Sequence, residues 1–105
     1  MRSATVFVGN KPAATLIEHS IYEYELRYEQ GYSGPPVSLT LPVRSESYRF
    51  TSFPSFFEGL LPEGIQLEAL LKQKKINRND LFSQLLAVGQ DLVGAVSVRS
   101  MREEA

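Results

Sequence analysis

Apolar and polar residues alternate most cleanly over residues 22–28, YEYELRY. Tyr22, Tyr24, Leu26 and Tyr28 fall at every second position, with Glu23, Glu25 and Arg27 between them. A period of two sends the first set to one face of a strand and the charged set to the other, as in a half-buried strand of an antiparallel sheet. Upstream, the β-branched and aromatic run TVFV predicts a strand near 4–9. Gly9, Asn10 and Pro12 read as a turn, and residues 13–17 return as the second arm of a hairpin. Residues 31–36, GYSGPP, are a loop by composition. VSLTL alternates again and predicts a strand at 37–41, stopped by Pro42, which has no N–H to give a ladder. The polar stretch 44–47 is expected at the surface. Near the end, VGAVSV is apolar on both faces and predicts a central strand at about 93–99.

Between these strands the period changes. Phe53, Phe56, Phe57 and Leu60 are spaced three, four and seven apart, one face of a helix at about 53–60. Pro54 suits its first turn, Gly59 weakens it, and Pro62 ends it. A second helix is predicted over 62–75, with Leu67, Leu70, Leu71 and the stem of Lys74 turned inward. Ile65 lies off that stripe, about 200° from Leu67 around the helix, so it is expected to be an exposed apolar residue near the helix start. Lys72, Lys74 and Lys75 sit where cations favour a helix C-terminus. A third helix is predicted over 79–88, capped by Asn77 or Asn79, with Leu81, Phe82, Leu85 and Leu86 inward and Gly89 as its stop. The fold class is therefore α+β, a small antiparallel sheet with three short helices.

At 105 residues the chain suits a single domain over 1–105, its polar end 101–105 expected to fray. The formal net charge of −1 lacks the basic surplus that phosphate neutralisation favours, so no direct nucleic-acid contact is expected. With no cysteine, disulfides and thiolate zinc sites are excluded. No apolar run approaches the roughly 18 residues of a membrane span, and the N-terminus lacks a signal-peptide apolar region, so no membrane contact and a cytoplasmic location are expected.

Candidate chemistry is sparse. His19 is the one histidine, so a second imidazole or thiolate ligand is missing for a soft metal, and no Ser sits in a G-x-S-x-G elbow. Gly59-Leu60-Leu61-Pro62-Glu63-Gly64 lacks the Lys-Ser/Thr of a phosphate loop. Gly89-x-Asp91-x-x-Gly94 follows a predicted helix, whereas a dinucleotide loop follows a strand; Gly89, Asp91 and Gly94 read as holding a helix stop and a tight turn. Glu58 and Glu63 flank a corner with nothing else suited to acid–base work. Lys72, Lys74, Lys75 and Arg78 read as a solvated helix end, or alternatively as a phosphate contact within a DNA-bound assembly. No catalytic, cofactor-binding or metal-binding residue is expected.

Three segments carry a resemblance when taken together: PVSLTLP at 36–42, FFEGLLPEG at 56–64 and LFSQLLAVGQDLVGAV at 81–96. In this order and spacing they resemble the N-terminal subdomain of HipA-type serine/threonine kinases, the toxins of bacterial Hip toxin–antitoxin systems. The likeness spans about residues 5–98. The kinase body that follows in that family, with its catalytic and metal-binding aspartates, has no counterpart here. The chain by itself is similar to the HipS family of three-part HipB–HipS–HipT systems. That resemblance implies a non-enzymatic protein without cofactors that binds a HipT-like kinase and acts as its antitoxin, with a HipB-like DNA-binding protein as a further partner. It also leaves room for an accessory assembly subunit that docks without inhibiting, or for the N-terminal fragment of a full HipA-like kinase.

A subdomain that packs on a kinase core when fused keeps its docking face when separate. The candidate face is Leu60, Leu61, Pro62, Glu63, Gly64 and Ile65, although Leu60, Leu61 and Pro62 also read as core and helix punctuation. Similar family members often carry a large aromatic such as Trp where Ile65 stands, and the smaller Ile puts the strength of any inhibition in question.

Overall fold

The computed structural model describes residues 1–92 and 94–101. Strands β1 (Arg2–Val8) and β2 (Lys11–Ser20) form a hairpin about Gly9, whose φ of 64° lies in the left-handed region that glycine enters without cost. Strand β3 (Glu23–Tyr28) pairs with β2, and β4 (Tyr48–Phe50) with β3. Helices α1 (Ser55–Glu58), α2 (Gly64–Lys74) and α3 (Leu81–Val88) follow, and β5 (Val96–Ser100) returns to pair with β1. All pairings are antiparallel and the sheet order is β4-β3-β2-β1-β5.

The register places Ala4, Val6, Ala14, Leu16, Leu26, Tyr28 and Val98 on the buried face. Phe57 of α1 and Phe82 and Leu85 of α3 cover it and lose all solvent contact. Each such side chain stabilises the fold by roughly 1.5–3 kcal/mol relative to an exposed one. Tyr24 meets Phe53 edge-on, with ring centroids 5.5 Å apart, and so joins the entrance of α1 to β3.

Several expectations need correction. Residues 37–41 are not a strand: Ser38 and Leu41 form only an isolated bridge around a tight turn. The competing partner is Tyr28, whose hydroxyl accepts from the Val37 N–H at 2.9 Å and donates to the Leu41 carbonyl. Val37 and Leu41 are buried by this side chain, while Leu39 is 92% exposed. The ladder position goes instead to β4, within a stretch whose short length gave no periodic signal. Tyr22 belongs to the β2–β3 turn and is 74% exposed, off the face predicted for it. Strand β5 lies at an edge, not in the centre; its outer side is partly closed because the Val98 N–H bonds to the Gly89 carbonyl at 2.9 Å. Helix α3 is capped by Asp80, not by Asn77 or Asn79. Val93 and residues 102–105, which include most of the tail expected to fray, lie outside the described residues.

Both ends of α3 are fixed to the sheet. At the N-terminus the Asp80 carboxylate accepts from the Ser83 N–H at 3.1 Å and the Ser83 hydroxyl at 2.7 Å. Arg2 of β1 donates to Asp80 at 2.9 Å, to the Ser83 hydroxyl at 2.9 Å and to Glu18 of β2 at 2.7 Å. The Tyr24 hydroxyl donates to the other Glu18 oxygen at 2.7 Å, which with burial raises the phenol pKa. At the C-terminus α3 passes so close to β5 that a Cβ on Gly89 would sit 2.2 Å from the Val98 carbonyl oxygen.

Burial pushes the Asp80 carboxyl up, but the bonds from Arg2 and Ser83 outweigh it and hold it below the ordinary carboxylate value. A lowered folded pKa contributes stability above the unfolded value, near about 4, and loses it as pH falls through the folded value. Asp80→Asn keeps a capping side chain but loses the ion pair, so it is expected to cost about 0.5–1 kcal/mol at neutral pH, a partly exposed pair being screened. Its stability should also fall less steeply than wild type below about pH 4. Urea denaturation across a pH series measures both. Gly89→Ala is expected to destabilise by at least about 2 kcal/mol, because backbone atoms rather than flexible side chains must move; a thermal melt reads it.

Candidate docking surface

The segment from Leu60 to Ile65 links α1 to α2. The Leu60 N–H bonds to the Phe57 carbonyl at 3.0 Å and the Leu61 N–H to the Glu58 carbonyl at 3.1 Å, extending the turn past Gly59. This brings Leu60 and Leu61 against the core, where both are half-buried. Pro62 is also half-buried, and the chain then leaves the body. Gly64 has a φ of 61°, open space where a Cβ would be, and an exposed position. Glu63 is exposed and makes no side-chain cap, and Ile65 is 86% exposed. The six residues therefore split into an anchoring half, Leu60–Leu61–Pro62, and a solvent-facing half, Glu63–Gly64–Ile65.

Helix α2 contains no buried residue. Leu67, Leu70 and Leu71 are half-buried, and none of them packs on the buried core cluster. The helix leans on α3 instead. Its C-terminal end is held best: the Ile76 N–H bonds to the Leu71 carbonyl at 3.1 Å, Arg78 pairs with Glu68 at 2.8 Å, and the Gln84 amide of α3 donates to the Arg78 carbonyl at 2.9 Å. Gln84 is 2% exposed, and this bond answers the need of a buried amide for a partner. Sequence reasoning passed over Gln84 because one polar residue in an apolar helix pattern gives no sign of which backbone it will meet.

The motif Gly89, Asp91 and Gly94 lies away from this corner, at the α3–β5 connection. The Asp91 N–H bonds to the Val88 carbonyl at 2.9 Å, and Gly94 takes a φ of 111° that other residues rarely adopt. The exposed apolar residues Ile21, Tyr22 and Leu39 sit on other turns.

Nothing comparable assembles for catalysis among the described residues. His19 Nε2 is 2.8 Å from Glu25 Oε1 on the sheet, with Arg49 at 3.7 Å and Arg27 at 4.0 Å from the same carboxylate. The hydrogen bond from His19, then one from Ser47 and the charge of the nearby Arg49 and Arg27, hold the Glu25 carboxyl below its ordinary value despite burial. A carboxylate so stabilised is a weak base. Among the described residues no group of three or more His, Asp or Glu side chains could hold a metal ion, and no helix is long and apolar enough to cross a membrane. A concavity of about 780 Å³ lies open on the far face of the sheet between Ile17, Arg27, Tyr32 and Val43.

A protein with this sheet order and this corner is best placed by its relatives. The family model of the HipA N-terminal domain matches residues 4–99. The chain belongs to the HipA N-terminal domain family. A solved structure of the N-terminal domain of HipA toxin superposes with a TM-score of 0.76 at 25% identity, over 99% of this chain and 96% of that one. An uncharacterized protein of Haemophilus influenzae is 27% identical over 104 residues, 98% of this chain and 96% of its own length. Membership ties the chain to HipA-type toxin–antitoxin systems, in which this domain is a non-catalytic subdomain of the kinase.

Because Ile65 touches little of its own fold, Ile65→Asp is expected to change stability by no more than about 0.5 kcal/mol. Leu85→Ala, fully buried in α3, should cost about 2–5 kcal/mol. Paired chemical denaturation curves check the contrast.

Proposed function

We propose that this chain acts as one HipS-like domain over residues 1–105, a non-catalytic subunit that binds a HipT-like serine/threonine kinase in the bacterial cytoplasm and inhibits it. The observation that carries this reading is α2. A helix with no buried residue, entered through a solvent-facing Glu63–Gly64–Ile65 corner, belongs to a family whose members accompany a kinase body. Half-buried leucines and an exposed isoleucine gain when a partner covers them. Leu60, Leu61 and Pro62 set the direction of the corner from within, and Glu63, Gly64 and Ile65 meet the partner.

Inhibition follows from position rather than chemistry. Phosphoryl transfer depends on aligning nucleotide, metal and acceptor, so a domain that binds the kinase more tightly in an unproductive arrangement lowers the active population. The second reading, an accessory subunit that docks the kinase beside a HipB-like DNA-binding partner without inhibiting it, is favoured by one residue. Ile65 is a smaller wedge than an aromatic ring and lacks a ring N–H.

The test is autophosphorylation of the neighbouring HipT-like kinase with and without this chain, after the two co-purify. Loss of activity that Ile65→Asp restores is expected. Binding with unchanged activity would support the accessory role, and failure to co-purify would remove the proposal.

A further inference from the structure

The outward face of α2 continues beyond Ile65. At 3.6 residues and 5.4 Å per turn, Ala69 and Lys72 follow Ile65 on the same side of the helix, with Lys72 about 10 Å further along and only about 20° off its line. Ala69 and Lys72 are both exposed. The leucine stripe occupies the opposite side, so this face is free of the contacts to α3. Glu68 borders it but is already neutralised by Arg78 at 2.8 Å. Lys72 enters no ion pair among the described residues. The face thus reads, from one end to the other, as an apolar wedge, a small residue that lets a partner approach closely, and an unneutralised cation.

We infer that the partner-binding surface extends along α2 through Ala69 to Lys72, and that the partner is a protein presenting an apolar recess for Ile65 and a carboxylate about 10 Å further on for Lys72. The inference rests on the proposed docking at the Ile65 corner and adds its direction and charge. Charge complementarity selects this occupant. Of the cations near it, Lys74 lies on the opposite side of the helix and Arg78 is taken up by Glu68, so Lys72 has only Lys75 beside it, while a phosphate backbone is bound by several cations together with stacking or groove contacts. The chain's net charge of −1 also disfavours a nucleic acid. A rim cation of this kind steers encounter more than it holds the complex.

The experiment is surface-based kinetics with the neighbouring HipT-like kinase immobilised and the full chain as analyte, at two ionic strengths. Ala69→Arg keeps a strong helix former on an exposed position and blocks close approach; it is expected to weaken binding at least about tenfold, the effect of losing about 1.4 kcal/mol. Lys72→Glu is expected to slow association about threefold to tenfold at low salt, with the difference shrinking as salt screens it. Circular dichroism should show both variants folded as wild type.

If both bind like wild type while Ile65→Asp does not, the corner stands and its extension along α2 is overturned. If Ile65→Asp also binds like wild type, the corner itself is wrong and the extension falls with it. A Lys72→Glu variant that binds the kinase normally but loses affinity for a fluorescein-labelled DNA duplex would assign the cation to phosphate and overturn the inference. So would a wild-type dimer in sedimentation that Ala69→Arg dissolves while kinase binding is unchanged.

Discussion

Everything outside the sheet depends on how α3 is clamped to it. At one end, Asp80 caps the helix and pairs with Arg2, which also reaches Ser83 and Glu18, so Glu18 of β2 and Asp80 and Ser83 at the helix start share one guanidinium from β1. At the other, Gly89 permits a contact with the Val98 carbonyl that any side chain would prevent. Between these points Phe82 and Leu85 are driven into the core. The charged cluster directs α3 more than it stabilises it, since partly exposed ion pairs contribute little net energy. The buried aromatic and leucine side chains supply the larger favourable contribution.

With α3 on the sheet, α2 packs against α3. The leucines of α2 are half-buried, and the segment that follows it is tied to α3 by the Gln84 amide at the Arg78 carbonyl, with Arg78 reaching back to Glu68. That arrangement explains how a well-packed domain carries a helix with nothing buried. The burial that α2 lacks within the chain is what a partner can provide, and Gly64 with its positive φ turns the entrance of the helix outward. The proposed binding role rests on this helix, and it needs no reactive side chain.

Much of this was legible from periodicity. The alternation in β3, the Phe53–Phe57 stripe and the outward phase of Ile65 follow from side-chain spacing set against backbone geometry; Gly89 does close α3, but with right-handed backbone, and it is the approach of Val98 that needs a glycine there. The errors have a common cause. Residues 37–41 carry a convincing strand pattern, yet one phenol hydroxyl from β3 takes up the backbone groups a ladder would use. Tyr22 alternates correctly but falls past the end of its strand, and of the described residues in the apolar run before Arg99 only Val96, Ser97 and Val98 are strand, at the sheet edge beside β1, while Gly94 and Ala95 are exposed in the approach to it. The Arg2–Glu18–Asp80 cluster spans most of the chain length and has no local sequence signature. For the candidate site, spacing gave the exposure of Ile65 but not the isolation of α2, which is a property of the whole packing.

Hydrogen–deuterium exchange on this chain, alone and bound to the HipT-like kinase, tests the central claim most directly. Protection on binding is expected to concentrate in the amides of residues 60–72, with the β1–β2–β3 ladder unchanged because it is already closed. Protection confined instead to the far face of the sheet, around residues 27–32 and 43–45, would place the partner on the open concavity and contradict the account.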